Sequence, residues 1–362
     1  MSFNGIYKGK KILLTGHTGF KGSWMAIWLK ELGADVYGYA LEPTSEKENF
    51  VTTGLATKIN HTIGDVRDLE KLKAYFRQVQ PDIAFHFAAQ PLVLFSYLDP
   101  VNTFSTNLMG TVNFFEAVRS TPAVKAAVNI TSDKCYDNKE WLQGYRETDP
   151  MGGKDPYSAS KGAAELITAS YQHSFFKDSL CNIASGRAGN VIGGGDWAEN
   201  RIVPDFFRSV LAGNKMMLRN PHATRPWQHV LEPLSGYLAL GEALLSKEGK
   251  KYAGGWNFGP ADSANHSVEF LIQKLVAFNG TGEYEQQQAT EKPHEAHFLK
   301  LDISKAAEGL HWQPVLDLEQ MIRFTVEGYD ETIAGSAYEK RMGQIKEYTS
   351  LARDKNISWA FV

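Results

Sequence analysis

Two short runs in this 362-residue chain hold side chains able to move protons. The first is Tyr157-Ser-Ala-Ser-Lys161. On a helix, residues i and i+4 share a face. The lysine cation therefore stands one turn from the phenol and can lower its pKa. A phenolate so formed can take the proton of an alcohol while a hydride leaves the same carbon. The second run is Ser132-Asp133-Lys134, a hydroxyl, a carboxyl and an amine on consecutive residues. As chemistry it places an acid beside a base. As architecture it reads as a strand-end ion pair between Asp133 and Lys134.

A place for the hydride is offered by Thr15-Gly16-His17-Thr18-Gly19-Phe20-Lys21-Gly22. Its GxxGxxG spacing follows an apolar strand and opens a helix. Glycines there permit a tight turn and close approach of backbone to a pyrophosphate. The helix N-terminus adds free N–H groups and positive potential. Glu42, twenty residues past Gly22, can accept from a ribose 2′-hydroxyl, which favours NAD. Lys21 argues the other way, because a cation there can accept a 2′-phosphate. Asp65, in Gly64-Asp65-Val66, either contacts an adenine ring or caps the following helix.

These groups need a frame, and the apolar patterning supplies one. Strands are expected at Lys11–Thr15, Asp35–Leu41, Ile83–Ala89, Ala126–Thr131 and Asn182–Arg187. Helices are expected at Phe20–Leu32, Asp68–Val79, Thr103–Arg119 and Tyr157–Phe176. Such alternation implies an α/β fold of Rossmann type, a doubly wound parallel sheet covered on both faces. Beyond Arg187 the pattern breaks at Gly193-Gly-Gly195, Pro204, Gly213, Pro221 and Pro226. Helices are expected again at Glu232–Leu245, Val268–Phe278 and Leu318–Thr332, with one more strand at Gly255–Phe258. The division expected is a dinucleotide-binding domain, 1–187 plus about 229–262. A smaller interleaved α/β substrate domain takes about 188–228 plus 263–362.

The glycine loop, Phe87-Ala88-Ala89 at a strand end, Asn107, Ser132 and the Tyr157/Lys161 pair together resemble the extended short-chain dehydrogenases/reductases, over nearly the whole chain. The resemblance implies NAD as cofactor. Gly16, Gly19 and Gly22 would line its pyrophosphate, with His17, Thr18, Phe20, Lys21, Glu42, Asp65, Val66, Phe87, Ala88, Ala89 and Asn107 around it. It also implies a nucleotide-sugar substrate. Ser132 would hold the substrate oxygen, Tyr157 would act as base, and Lys161 would bind the nicotinamide ribose. Epimerases of the family carry small or apolar residues after the catalytic Ser/Thr, whereas its hexose 4,6-dehydratases carry an acid–base pair there. Ser132-Asp133-Lys134 is similar to the dehydratases that take a cytidine-diphosphate sugar, as are Ala89-Gln90-Pro-Leu-Val93 and Lys292–His297. Asp133 would then assist loss of water and Lys134, if neutral, would take the C5 proton.

A nucleotide diphosphate needs cationic contacts, and Arg201, Lys215 and Arg225 are available. Asn190 matches a family asparagine that meets the diphosphate, and Gln90 and His297 complete the expected substrate contacts. Trp197, Trp227 and Trp256 read as packing residues. The histidines show no metal-ligand spacing, so no metal is expected. The balance of 38 basic and 41 acidic residues, −3 overall, argues against nucleic-acid binding. Two cysteines and no apolar run of membrane length point to a cytoplasmic protein. The resemblance further implies a homodimer built on the Thr103 and Tyr157 helices, and 6-deoxy-sugar supply for surface polysaccharide such as lipopolysaccharide O-antigen.

Overall fold

A computed structural model describes residues 2–261, 265–286, 298–330 and 335–361. Strands β1 (Lys11–Thr15), β2 (Asp35–Ala40), β3 (Asn60–Ile63), β4 (Ile83–His86), β5 (Ala126–Ile130) and β6 (Asn182–Arg187) join Gly254–Asn257 in one sheet. The order is Gly254–Asn257, β6, β5, β4, β1, β2, β3, and every pairing is parallel. The central strands β1, β4 and β5 are buried on both faces, which is why they read as near-continuous apolar runs. Ile12 and Leu14 enter one core with Trp24, Trp28 and Leu238. Leu13 between them enters the other, with Leu72, Phe76 and Phe114. Each such buried aliphatic or Phe side chain contributes roughly 1.5–3 kcal/mol.

The chain runs from β1 outward to β2 and β3, then returns to lay β4 on the opposite side of β1. The order therefore reverses between β1 and β4, and the crevice beyond their C-terminal ends is where such sheets take ligands. The sequence expectations at Phe20, Asp68 and Asn182 hold to within a residue or two. The helix expected at Thr103–Arg119 is interrupted. It runs Pro100–Phe104, then a π-helical turn Ser105–Met109, then Gly110–Arg119. That turn buries Asn107; π-turns often mark functional sites.

Beyond β6 three two-stranded ribbons form: Val191–Ile192 with Gln228–His229, Thr224–Pro226 with Asn265–Ser267, and Met216–Leu218 with Tyr284–Gln286. With the helices Ile202–Leu211, Val268–Asn279 and Leu318–Tyr329 they enclose a third core around Phe206, Trp227, Leu271 and Ile322. The helix Ala337–Asp354, which the sequence grouped with this second unit, packs on the first. Its Ile345, Tyr348 and Ala352 lie in the core that holds Trp24 and Trp28. Among the described residues no helix is long and apolar enough to cross a membrane.

Candidate active site

The glycine loop leaves β1 and enters the helix Phe20–Glu31. Gly16 has φ +73°, and a Cβ there would lie 2.6 Å from Ala88 N, in the segment leaving β4. A Cβ on Gly22 would lie 2.2 Å from Gly16 O. Both glycines are thus demanded by the protein's own packing. Gly19 is different: a Cβ there would meet only Gly16 O, at an ordinary 3.5 Å. It sits at the helix N-cap with no side-chain cap and no acidic residue in the first turn. The first-turn N–H groups have no intrahelical acceptors, so this exposed end fits a dinucleotide pyrophosphate.

Around the loop the expected residues separate by role. Thr18 Oγ1 donates to Leu41 O at 3.0 Å, tying the loop to the end of β2. Glu42 follows, exposed. The His17 ring is fully buried against Phe50 and His61 behind Gly38, and neither ring nitrogen has a partner. Burial, reinforced by His61, brings its pKa down to about 3. Its side chain therefore belongs to the core. The Asp65 carboxylate is clasped by Arg67, at 2.5 Å to Nη2. The helix cap that was the alternative role for Asp65 is made by Asp68, which accepts from Lys71 N. Val66 packs beneath Gly110. Asn107 accepts from Gln90 N (2.8 Å) and donates to Gln90 O (3.1 Å) and Ser160 Oγ (2.8 Å). It pins the Phe87–Gln90 segment to the Tyr157 helix. The Gln90 amide is itself spent on Thr103 Oγ1 and Leu92 N.

The helix Pro156–Tyr171 starts where it does because Asp155 caps it, accepting from Ser158 N, with Pro156 in the first turn. Tyr157 and Lys161 are 7% and 6% exposed and share one face. Ser132, just past the end of β5, lies beside Tyr157, close enough to oppose the rise of its phenol. It donates to Asp133 Oδ1 at 2.8 Å. Burial pushes the phenol up to about 12, with the Ser132 hydroxyl and the Arg201 charge opposing. The lowering expected from Lys161 alone is not what the site achieves, because the cost of burying a phenolate is the larger effect. Burial also brings Lys161 down to about 8, with Glu165 opposing.

A short 3₁₀ turn, Asp133–Cys135, presents the next two groups. Asp133 is 3% exposed, and Asn190 Nδ2 approaches its Oδ2 at 3.5 Å. A Cβ on Gly189 would overlap this carboxylate, so glycine is needed beside it. Lys134 is half-buried and forms no ion pair among the described residues, so the strand-end pair with Asp133 is absent. Arg201 reaches the same cleft, held by Asp196 at 2.8 Å. Arg225 is buried in its ribbon, donating to Thr224 O. Lys215 is elsewhere, exposed and paired with Glu283 at 3.2 Å. His297 lies outside the described residues. Lys21 points toward Lys161, Arg201 and Asp133, away from Glu42 and the end of β2 where a 2′-phosphate would lie. Sequence reasoning missed Asp196, Tyr237 and the buried Glu165–Arg187 pair. Only Glu165, one turn past Lys161, carried a local signal.

The family model for GDP-mannose 4,6 dehydratase matches residues 13–325. The CDP-glucose 4,6-dehydratase of Salmonella typhimurium is 48% identical over 335 residues, covering 91% of this chain and 93% of that protein. GDP-mannose 4,6 dehydratase 1 of Arabidopsis thaliana is 28% identical over 90% of this chain and 92% of its own length. Among solved structures, the UDP-glucose 4-epimerase of Thermus thermophilus, a complex with NAD, superposes with a TM-score of 0.77 at 26% identity. That match covers 89% of this chain and all of that one. With its reversed seven-stranded sheet, glycine loop and Ser–Tyr–Lys set, the chain belongs to the family of that GDP-mannose 4,6 dehydratase model, within the extended short-chain dehydrogenases/reductases.

Proposed function

We propose that this chain is a CDP-glucose 4,6-dehydratase that uses NAD and forms CDP-4-keto-6-deoxy-D-glucose. The observation that carries the reading is the Asp133–Lys134 turn placed directly beyond Ser132 and Tyr157. An oxidation site alone would not need it. The 48% identity with a CDP-glucose enzyme supports the choice of nucleotide.

Gly16, Gly19 and Gly22 form the cradle for the pyrophosphate of NAD, and Lys161 lies at its reacting end. When bound, NAD supplies the acceptor for the hydride lost from C4 and the donor for the hydride returned to C6. Ser132 holds the C4 oxygen while Tyr157 takes its proton. The resulting ketone acidifies the C5 hydrogen. Lys134 removes that proton and returns it to C5 once hydride has reached C6, and Asp133 protonates the departing C6 hydroxyl, which leaves as water. Arg201 and Asn190 flank the sugar, and Arg225 belongs to the nucleotide end.

The unit that grips the nucleotide sugar is taken to be the third core, about 188–228 with the Val268–Asn279 and Leu318–Tyr329 helices. Exposed Leu98, Val101, Met109 and Leu166 lie on or beside the two helices that would meet in a homodimer. Cys135 and Cys181 are buried free thiols, which suits a reducing cytoplasm. The product class would feed 6-deoxy sugars into surface polysaccharide.

The test is incubation with NAD and, separately, CDP-glucose, UDP-glucose, dTDP-glucose and GDP-mannose, with products followed by mass. Loss of one water from CDP-glucose is expected. Loss from another sugar nucleotide alone would overturn the substrate. Epimerisation without loss of mass would overturn the reaction.

A further inference from the structure

The glycine loop carries one side chain that its packing does not use. Lys21 is half-buried and extends from the first turn of its helix toward the Tyr237 ring, with Nζ 6.0 Å from the centroid. Its charged surroundings come from other elements. Lys161 comes from the Pro156–Tyr171 helix, Asp133 from the turn after β5, and Asp196 and Arg201 from the segment leading into Ile202–Leu211. Tyr237, from the Leu231–Leu245 helix, completes the set. Lys21 forms no ion pair among the described residues. Asp196 is committed to Arg201 at 2.8 Å, and the Asp133 oxygens face Ser132 and Asn190. The first turn of its own helix holds no acidic residue. Three cations and a helix N-terminus thus converge on one end of the cleft, and among the described residues only Arg201 has a carboxylate partner.

We propose that the Lys21 ammonium is a ligand for a diphosphate group at the reacting end of the cleft. This rests on the reading of the cleft as a site for NAD and a nucleotide sugar, since each brings a diphosphate. An arriving dianion supplies the counter-charge that no carboxylate here provides. Without it, burial and the like charges of Lys161 and Arg201 hold Lys21 down at about 7. Binding should therefore draw a proton from solvent onto Lys21 at mildly alkaline pH. Most loop residues bind through their backbone; this one would add a side chain.

The test is isothermal titration of the protein at pH 8 with NAD alone and with CDP alone, in buffers of differing ionisation enthalpy. Wild type should take up protons with one of the two ligands. K21M should lose that uptake and bind that ligand on the order of 10- to 100-fold more weakly. K21R should restore affinity without uptake, because arginine stays charged. An effect confined to NAD assigns the cofactor's diphosphate, and one confined to CDP assigns the substrate's. Unchanged affinity of K21M for both ligands overturns the proposal, as does wild-type binding of both without proton uptake. If K21M does not fold, K21R still decides: uptake equal to wild type overturns it. These are binding measurements without turnover. Failure to lose water from CDP-glucose would sink the reaction and leave this inference standing.

Discussion

The carboxylate of Glu165 meets the guanidinium of Arg187 at 2.7 Å, with side chains 4% and 5% exposed. Ser185 Oγ donates to the same carboxylate at 2.6 Å, and Thr131 Oγ1 donates to its other oxygen. Arg187 donates onward to the Tyr136 hydroxyl at 2.6 Å, which donates to Asn257 at 2.7 Å. This network joins the Tyr157 helix, β5, β6 and the edge strand directly behind Ser132–Lys134. Glu165→Ala leaves a buried guanidinium without its partner and should cost about 3–5 kcal/mol in denaturant unfolding. Burial pushes the Glu165 carboxyl up, but Arg187 and the hydroxyl donors outweigh it, so it titrates below its ordinary value. Its contribution is therefore present above the ordinary carboxylate range and lost as pH falls through the lowered value. A variant as stable as wild type at pH 7 would refute the pair's importance.

Gly22 and Gly19 should respond differently to alanine. Gly22→Ala drives a Cβ to 2.2 Å from Gly16 O, so both melting temperature and NAD binding should fall. Gly19→Ala meets an ordinary 3.5 Å contact and should fold as wild type. It should still bind NAD at least about tenfold more weakly, because its methyl occupies the pyrophosphate cradle. Calorimetry paired with NAD titration separates the two; normal NAD affinity in Gly19→Ala would remove the cradle.

Lys134→Met should bind NAD normally and lose water from CDP-glucose roughly 10²- to 10⁴-fold more slowly, the usual range for a lost acid or base. Transient NADH absorbance should persist if C4 oxidation still occurs. Turnover at the wild-type rate would acquit Lys134.

The pH profile follows from the two helix residues. The active form has Tyr157 ionised and Lys161 charged, with values of about 12 and about 8. Below both, one proton must leave to reach that form, so kcat/KM should climb about tenfold per pH unit up to about pH 8 and then flatten. Tyr157→Phe should abolish the slope together with most of the rate. A profile falling from pH 6 to pH 8 would contradict this order.

Leu98 and Val101 are 83% and 77% exposed, and Leu166 is 62% exposed on the neighbouring helix. Val101→Asp with Leu166→Asp should convert a dimer into a monomer in sedimentation. A wild type that sediments as a monomer at micromolar concentration would dismiss the homodimer.

Much of the frame was legible because local rules agreed. Buried strands between glycines, and helices opened by Asp68 and Asp155, advertise their own ends. The π-turn at Ser105–Met109 was not legible, because helical periodicity runs straight through it. Nor was the aim of Lys21, which depends on Tyr237, Asp196 and Arg201, about two hundred residues away. Lys215 read as a phosphate ligand since an exposed cation and a buried one share the same letter. Glu165 was visible one turn from Lys161, but Arg187 ends β6, and only the packing of the Pro156–Tyr171 helix against that strand brings it near. The helix Ala337–Asp354 was not legible as a separate element, and its place in the chain after Leu318–Tyr329 says nothing of which core it packs against.

Trp28, on the helix that opens with the glycine loop, packs edge-on against Tyr348 and Trp359, with ring centroids 5.7 Å and 6.0 Å away. A ribosome working at ~5–20 residues per second spends roughly 15–65 s between them. Throughout that interval the nascent chain holds its first tryptophans without their final cover. The cofactor cradle is thus a property of nearly the whole translated polypeptide, although every residue that lines its loop emerges first.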